Sequence, residues 1–274
     1  MKRNSICWNI TSRCNENCLF CYRIVCNKEN TYEQNKKILN TLIKLKVDKI
    51  TWTGGECLLY PYLFELMKIA HENNIKNNII TNGRNLTHNI IDEIEEFTDY
   101  ITLSLDALDD DVNNNLGRGI DHGKHIIELL DYIQHKNIKV KLNSIVTKKN
   151  IENIKEVINI VKQYKIERWK LFKFISLRGK AIENQNEFEI DEKQYEKLIS
   201  EIKKEEINCP VVECKEEEIE KKYLLINPIG DFIITDNRED KIICNFENIN
   251  IMKLEEILKR WVWKKIGIYT KLFV

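Results

Sequence analysis

A chain of 274 residues, 43% apolar and 31% charged, can bury one sizeable core, and its composition excludes a disordered or fibrous polymer. Its 43 basic and 43 acidic residues cancel, which excludes a global field drawing it to nucleic acid or membrane; any polyanion site is local. No run of about 18 apolar residues occurs, so no transmembrane helix is expected.

Met1-Lys2-Arg3-Asn4 runs straight into a strand-like segment, without the apolar stretch and cleavage site of a signal peptide, so a cytoplasmic protein is expected. In that compartment nine cysteines speak for metal binding or scattered thiols rather than a disulfide framework.

In chain order, strand Ser5–Thr11 precedes helix Tyr32–Leu45, strand Val47–Thr53 precedes helix Tyr62–Asn73, and strand Asn78–Thr81 precedes helix Asn89–Phe97. Strand Tyr100–Ser104, helix Gly123–Lys136, strand Lys139–Ile145, helix Ile151–Tyr164 and strand Arg168–Phe174 follow. In the helix from Ile151, the residues Ile151, Ile154, Ile158 and Val161 recur at the steps that one buried face requires. Helix Glu192–Glu205 leads to a tail with strands Tyr223–Asn227 and Phe232–Thr235 and a helix, Leu254–Lys264. Strands alternating with helices imply a parallel sheet with right-handed crossovers. Six such units fall short of a closed eightfold barrel, so the expected fold is α/β, a partial (β/α)6 barrel over 1–190 with a C-terminal extension over 191–274 capping its mouth. In such folds chemistry collects on the loops after the strand C-termini.

Past the first strand stand Cys14, Cys18 and Cys21, spaced C-x3-C-x2-C. Short spacings let one loop wrap several irons of an iron–sulfur cluster, and three thiolates on a four-iron cube leave one iron open to an amine and a carboxylate. A zinc knuckle is the competing reading, with Cys26 as the only nearby fourth ligand. At the end of the second strand, Thr53-Gly54-Gly55-Glu56 joins two glycines that admit close backbone approach to a carboxylate that can accept from an ammonium. Lys141 and Asn143 share one face of their strand, as do Arg168 and Lys170. If those faces point inward they gather three cations and an amide, for which a polyanion is the natural partner; outward, they are solvated charges paired with helix acids.

The cysteine spacing with Phe20 before Cys21, together with Gly54-Gly55-Glu56, resembles the radical S-adenosylmethionine superfamily. That resemblance implies a 4Fe-4S cluster on Cys14, Cys18 and Cys21, and S-adenosylmethionine bound near Phe20, Gly54, Gly55, Glu56, Asn82, Ser104 and Arg118. Phe20 would lie against adenine, Glu56 would take the methionine amine, and Arg118 would meet the carboxylate or ribose. Reductive cleavage to a 5′-deoxyadenosyl radical then implies a one-electron donor of flavodoxin or ferredoxin type.

Leu116-Gly117-Arg118-Gly119 with His125, then Lys141-Leu142-Asn143-Ser144, then Arg168-Trp169-Lys170-Leu171-Phe172 are similar to viperin-like enzymes, in order from about Ser5 to Glu205. Those enzymes dehydrate a nucleoside triphosphate, typically CTP, to the 3′-deoxy-3′,4′-didehydro nucleotide, a chain-terminating antiviral product. The resemblance implies triphosphate contacts at Lys49, Lys141, Asn143, Arg168 and Lys170, and a substrate-side tyrosine at Tyr223, the one candidate for a catalytic group. Hydrogen abstraction from C4′, loss of water from C3′ and one further electron and proton complete the implied reaction; the proton donor is not named by the sequence. Arg238 and Lys241 could close over phosphate from the tail.

The chain departs from that pattern at Cys7-Trp8-Asn9 and at Cys57, the position of a proline after Gly-Gly-Glu. Cys7, Cys26 and Cys57 read as structural. Cys209, Cys214 and Cys244 form a loose tail trio, compatible with buried thiols or with the auxiliary cluster of a radical peptide maturase. A silent binder of nucleotide and cofactor is the remaining alternative, hard to square with an intact cysteine triad.

Overall fold

The computed structural model describes residues 5–216, 224–245 and 256. Its strands and helices run β1 (Ser5–Thr11), α1 (Tyr32–Lys44), β2 (Lys49–Gly54), α2 (Leu63–Glu72), β3 (Lys76–Thr81), α3 (His88–Ile94) and β4 (Tyr100–Ser104). Then come α4 (Asp110–Leu116), α5 (His122–Ile133), β5 (Lys139–Val146), α6 (Val157–Gln163), β6 (Ile166–Lys173), α7 (Gly179–Glu183), α8 (Gln185–Phe188) and α9 (Glu192–Ile202). The described chain closes with β7 (Val211–Cys214), β8 (Leu225–Ile226), β9 (Asp231–Asp236) and β10 (Glu239–Asn245).

Local chemistry sets the helix starts. Thr31 caps α1 by accepting from the Gln34 N–H at 3.3 Å while Gln34 Oε1 accepts from the Thr31 N–H at 2.9 Å, a reciprocal box that satisfies two end donors. Asp191 and Gln194 repeat the device at α9. Asp109 caps α4, and Gly117, at φ 82°, ends it in the left-handed conformation.

One ten-stranded sheet has the order β10-β9-β8-β1-β2-β3-β4-β5-β6-β7 among the described residues. Neighbours from β1 to β7 are parallel, β8 lies parallel on β1, and β9 turns back antiparallel, as does β10. The sheet is curved but not closed by strand pairing, so the architecture is the expected partial α/β barrel. Strands from the 191–274 segment join it at both edges, β7 beside β6 and β8 beside β1. Arg178, in the loop after β6, reaches across to Thr235 on β9 and Asp240 on β10, and Arg238 meets Glu216 beyond β7. The ends of the open sheet are therefore joined by side chains.

The two faces differ in chemistry. Trp8, Trp52, Ile79, Ile101, Leu103, Leu142 and Trp169 are fully buried and form the helix-packed core. Residues one step away in each strand are polar: Cys7, Thr51, Asn78, Tyr100, Lys141, Arg168 and Lys170. Parallel strands covered by helices normally carry apolar residues on both faces. Here the other, concave face is polar instead.

The expected elements occur, with shifted ends. The helix expected from Ile151 opens as a tight 3-10 turn, Asn153–Glu156, before α6. β7 was not expected, since four residues after Pro210 are too few to show a period, and β10 was hidden by its charged, exposed Glu239-Asp240-Lys241. Tyr223, and the expected Leu254–Lys264 helix apart from Glu256, lie outside the described residues.

Candidate active site

The cysteine loop leaves the C-terminal end of β1 and is clamped from three sides. Gly55 N–H donates to Thr11 O at 2.8 Å and Glu56 N–H to Arg13 O at 2.7 Å. A side-chain carbon at Gly54 would lie 2.3 Å from Thr11 O, and one at Gly55 2.1 Å from Arg13 O. These glycines thus allow a close approach to the chain's own loop. On the second side, Leu19 N–H donates to Leu116 O at 3.0 Å. From α7, Ala181 N–H reaches Cys21 O at 3.3 Å and Asn184 Nδ2 reaches Leu19 O at 3.1 Å.

Cys18 is buried, and Cys14 and Cys21 are partly so. Burial pushes the Cys14 and Cys18 thiols up, so a cation at the sulfurs is what would make them thiolates. Among the described residues, no three His, Cys, Asp or Glu converge on a single ion. A four-iron cube takes one thiolate per iron and asks for separated sulfurs on one loop, which the 14–21 segment supplies. Phe20, Leu116, Ile145, Phe174 and Phe188 form a small apolar cluster around Cys18. The donor set fits a cube better than a zinc ion.

The residues expected around the cofactor gather here. Glu56 is 1% exposed; its carboxylate accepts from the Leu58 N–H at 3.2 Å and the Asn82 N–H at 2.8 Å, and burial raises its pKa. Asn82 Nδ2 donates to Asn15 Oδ1 at 2.7 Å and lies 3.9 Å from Cys14 Sγ. Arg118 stacks over Phe20 at 5.2 Å, and its Nε donates to Asp106 at 2.7 Å. The Ser104 carbonyl faces His122 Nε2 at 2.9 Å.

Sequence reasoning passed over Glu16, which sits inside the cysteine motif. Its carboxylate, 4% exposed, accepts from Arg118 Nη1 at 3.0 Å and Arg84 Nε at 3.4 Å. His122 Nδ1 lies 3.5 Å away. Its partners follow 68 and 102 positions later, so no local pattern announced the pairing.

On the concave face, Lys141 pairs in register with Arg168 and Asn143 with Lys170 across β5 and β6. Lys141 Nζ sits 3.2 Å from the centre of the Tyr100 ring. Burial first, then the charges of Lys49 and Arg168, push its ammonium down to about 7. Burial also lowers Lys170, whose ammonium hydrogen-bonds the Cys214 thiol. Asn143 Oδ1 is buried with no hydrogen-bond partner among the described residues. A polar row missed by sequence reasoning, in which Asn78 donates to Thr51 at 3.4 Å and accepts from Thr102 at 2.9 Å, floors this face. The residues inferred for a triphosphate are thus brought together, and Tyr223 lies outside the described residues.

Arg238 is held by Glu216, and Lys241 by Asp236 at 2.7 Å, so both tail cations are engaged within the protein. Cys214 packs with Ile175, Leu177 and Tyr22, whereas Cys209 and Cys244 lie against the main core, and the tail trio shares no metal-holding group among the described residues. A surface recess of about 220 Å³, lined by Asn30, Lys37, Ile38, Thr41, Ile229 and Gly230 among others, shares no residue with either site.

The family model for the radical SAM superfamily matches residues 8–162. An S-adenosylmethionine-dependent nucleotide dehydratase of Flammeovirga pacifica is 28% identical over 273 residues, covering 95% of this chain and 88% of that protein. Another, from a Thermoplasmatales archaeon, is 28% identical over 239 residues, covering 86% and 84%. Streptococcus suis SuiB bound to S-adenosylmethionine superposes with a TM-score of 0.71 at 19% identity. That superposition covers 92% of this chain but 65% of SuiB, and speaks to the fold alone.

Proposed function

Because this chain belongs to the radical SAM superfamily, whose members use a 4Fe-4S cluster and S-adenosylmethionine, we infer that it is a nucleotide dehydratase acting on a nucleoside triphosphate. The observation that carries this reading is the concave face itself: Lys141, Arg168 and Lys170 on adjoining strands, beside Asn143, whose buried Oδ1 has no hydrogen-bond partner among the described residues. Three cations gathered on one polar face favour a polyanion, and a triphosphate is one. The similarity to curated nucleotide dehydratases supports the same substrate class.

Cys14, Cys18 and Cys21 would hold the cluster, which with S-adenosylmethionine supplies one-electron chemistry when bound. Glu56, fixed by the Leu58 and Asn82 amides, presents a carboxylate to the cofactor's ammonium. Arg118, Asn82 and Ser104 line the same wall, and Phe20 with its aromatic neighbours keeps water from it. Lys49, Lys141, Arg168 and Lys170 bind phosphate oxygens, Asn143 orients the bound nucleotide, and the protein aims C4′ and C3′ towards the cofactor. The product is the 3′-deoxy-3′,4′-didehydro nucleotide, formed from CTP or another triphosphate, and a chain terminator of that kind suits antiviral defence. Tyr223 stands as the substrate-side tyrosine, and the 191–274 extension as the cap, a role supported by the contacts of Arg178 with Thr235 and Asp240. A flavodoxin- or ferredoxin-type protein delivers the electrons.

The test is anaerobic reconstitution followed by S-adenosylmethionine, reductant and CTP, UTP, GTP or ATP offered separately. One nucleotide should stimulate 5′-deoxyadenosine formation and yield a product lighter by one water. Cofactor cleavage indifferent to every nucleotide would overturn the reading.

A further inference from the structure

Glu16 is an acid placed between two cluster cysteines, where a carboxylate is electrostatically unwelcome. Cys18 Sγ lies 3.5 Å from its Oε2. Once Cys18 binds iron it is a thiolate with no proton to give, and two negative groups then face each other in a site largely closed to water. The structure surrounds that contact with compensation. Arg118 bridges Glu16 and Asp106, at 3.0 and 2.7 Å, and Arg84 approaches Glu16 from the end of β3 at 3.4 Å. Arg84 Nη2 also donates to the Arg118 carbonyl at 3.0 Å, so the two arginines are fixed relative to one another. With two carboxylates against two guanidiniums, the group is balanced as it stands, and neutralising Glu16 leaves an excess positive charge next to the Cys18 sulfur.

We propose that Glu16 is a positioning residue of the cluster: it pins the Cys18 side of the cysteine loop to Arg84 and Arg118 and lowers the cluster's reduction potential. The direction follows from charge. A reduced cluster carries one more electron than the oxidised one, and a fixed carboxylate beside its ligand disfavours that electron. Nothing in this depends on which substrate the enzyme takes. It rests only on a cluster at Cys14, Cys18 and Cys21, and a wild-type chain that binds no iron would sink that reading rather than this one.

The experiment is a redox titration of anaerobically reconstituted wild type, E16Q and E16D, following the cluster by electron paramagnetic resonance. E16Q, close in shape but neutral, should load iron and show a higher midpoint potential. E16D, which keeps the charge, should stay near wild type. An unchanged midpoint in iron-loaded E16Q overturns the proposal, because a purely structural role would affect loading and not potential. Should E16Q fail to load, alkylation of the metal-free protein decides. Cys18 should then react several-fold faster in E16Q than in wild type, since its loop has lost its tether, and an equal rate overturns the proposal.

Discussion

Arg178 and Asp240 hold together two parts of the sheet that no strand pairing joins among the described residues. Arg178 follows β6, whereas Asp240 lies on β10 at the other end of the strand order, and the guanidinium Nε donates to the carboxylate at 2.6 Å. The same arginine donates to the Tyr22 carbonyl at 3.0 Å, one residue past Cys21. The seam of the barrel and the cysteine loop therefore share one side chain.

Replacing Arg178 with alanine should loosen the β9–β10 hairpin before the rest of the fold. The pair is partly buried and bidentate, so a loss of about 1–2 kcal/mol is expected, between the values for exposed and buried pairs. Hydrogen exchange should rise in β9 and β10 while the apolar strands β2 to β5 remain protected. Uniform exchange across the sheet would refute this seam.

Lys141 carries a pH dependence with a definite sign. Its folded pKa of about 7 lies below the unfolded value, so the protonated form is penalised in the native state. The penalty is complete below that pKa, and stability rises as pH increases from there towards the ordinary lysine range, because the unfolded chain then binds more protons. Lys141→Met should stabilise the unliganded protein by about 1–2 kcal/mol at neutral pH, allowing for screening, and weaken triphosphate binding tenfold or more. Thermal melts and calorimetric titration read the two effects.

Triphosphate binding should also raise the Lys141 pKa and draw up a proton above neutral pH. Binding enthalpies measured at pH 8 in buffers of different ionisation enthalpy should diverge accordingly. Identical enthalpies would remove Lys141 from the anion site.

Gly55→Ala should damage the cysteine loop from outside it. The added methyl would meet the Arg13 carbonyl at 2.1 Å, and backbone cannot step aside as a side-chain end can. A cost of about 1–3 kcal/mol and reduced iron loading are expected, measured by denaturant melts and iron analysis.

Iron and sulfide analysis also separates one cluster from two. Single alanine variants of Cys14, Cys18 or Cys21 should lose the whole cluster content, while alanine at Cys209 or Cys244, which pack against the core, should lose none. Partial iron retention in the triad variants would indicate a second cluster.

Local sequence determined a good deal of this protein. Six strands and the main helices were legible because period two and period 3.6 are imposed by backbone geometry, whatever the fold does later. The same-face pairs Lys141/Asn143 and Arg168/Lys170 were legible for the same reason, and the cysteine triad and Gly54-Gly55-Glu56 by their spacing and their resemblance to a known family. Which face those cations occupy was decided only when helices covered the side bearing Trp8, Trp52 and Trp169. Four-residue β7 and charged β10 became strands by pairing with distant edges, and pairing leaves no period in so short or so polar a segment. The close packing of the glycine pair on Thr11 and Arg13, and of Glu16 on Arg84 and Arg118, was not legible. Such contacts depend on where crossovers set loops from different strands side by side, and spacing along a chain does not encode distance across it.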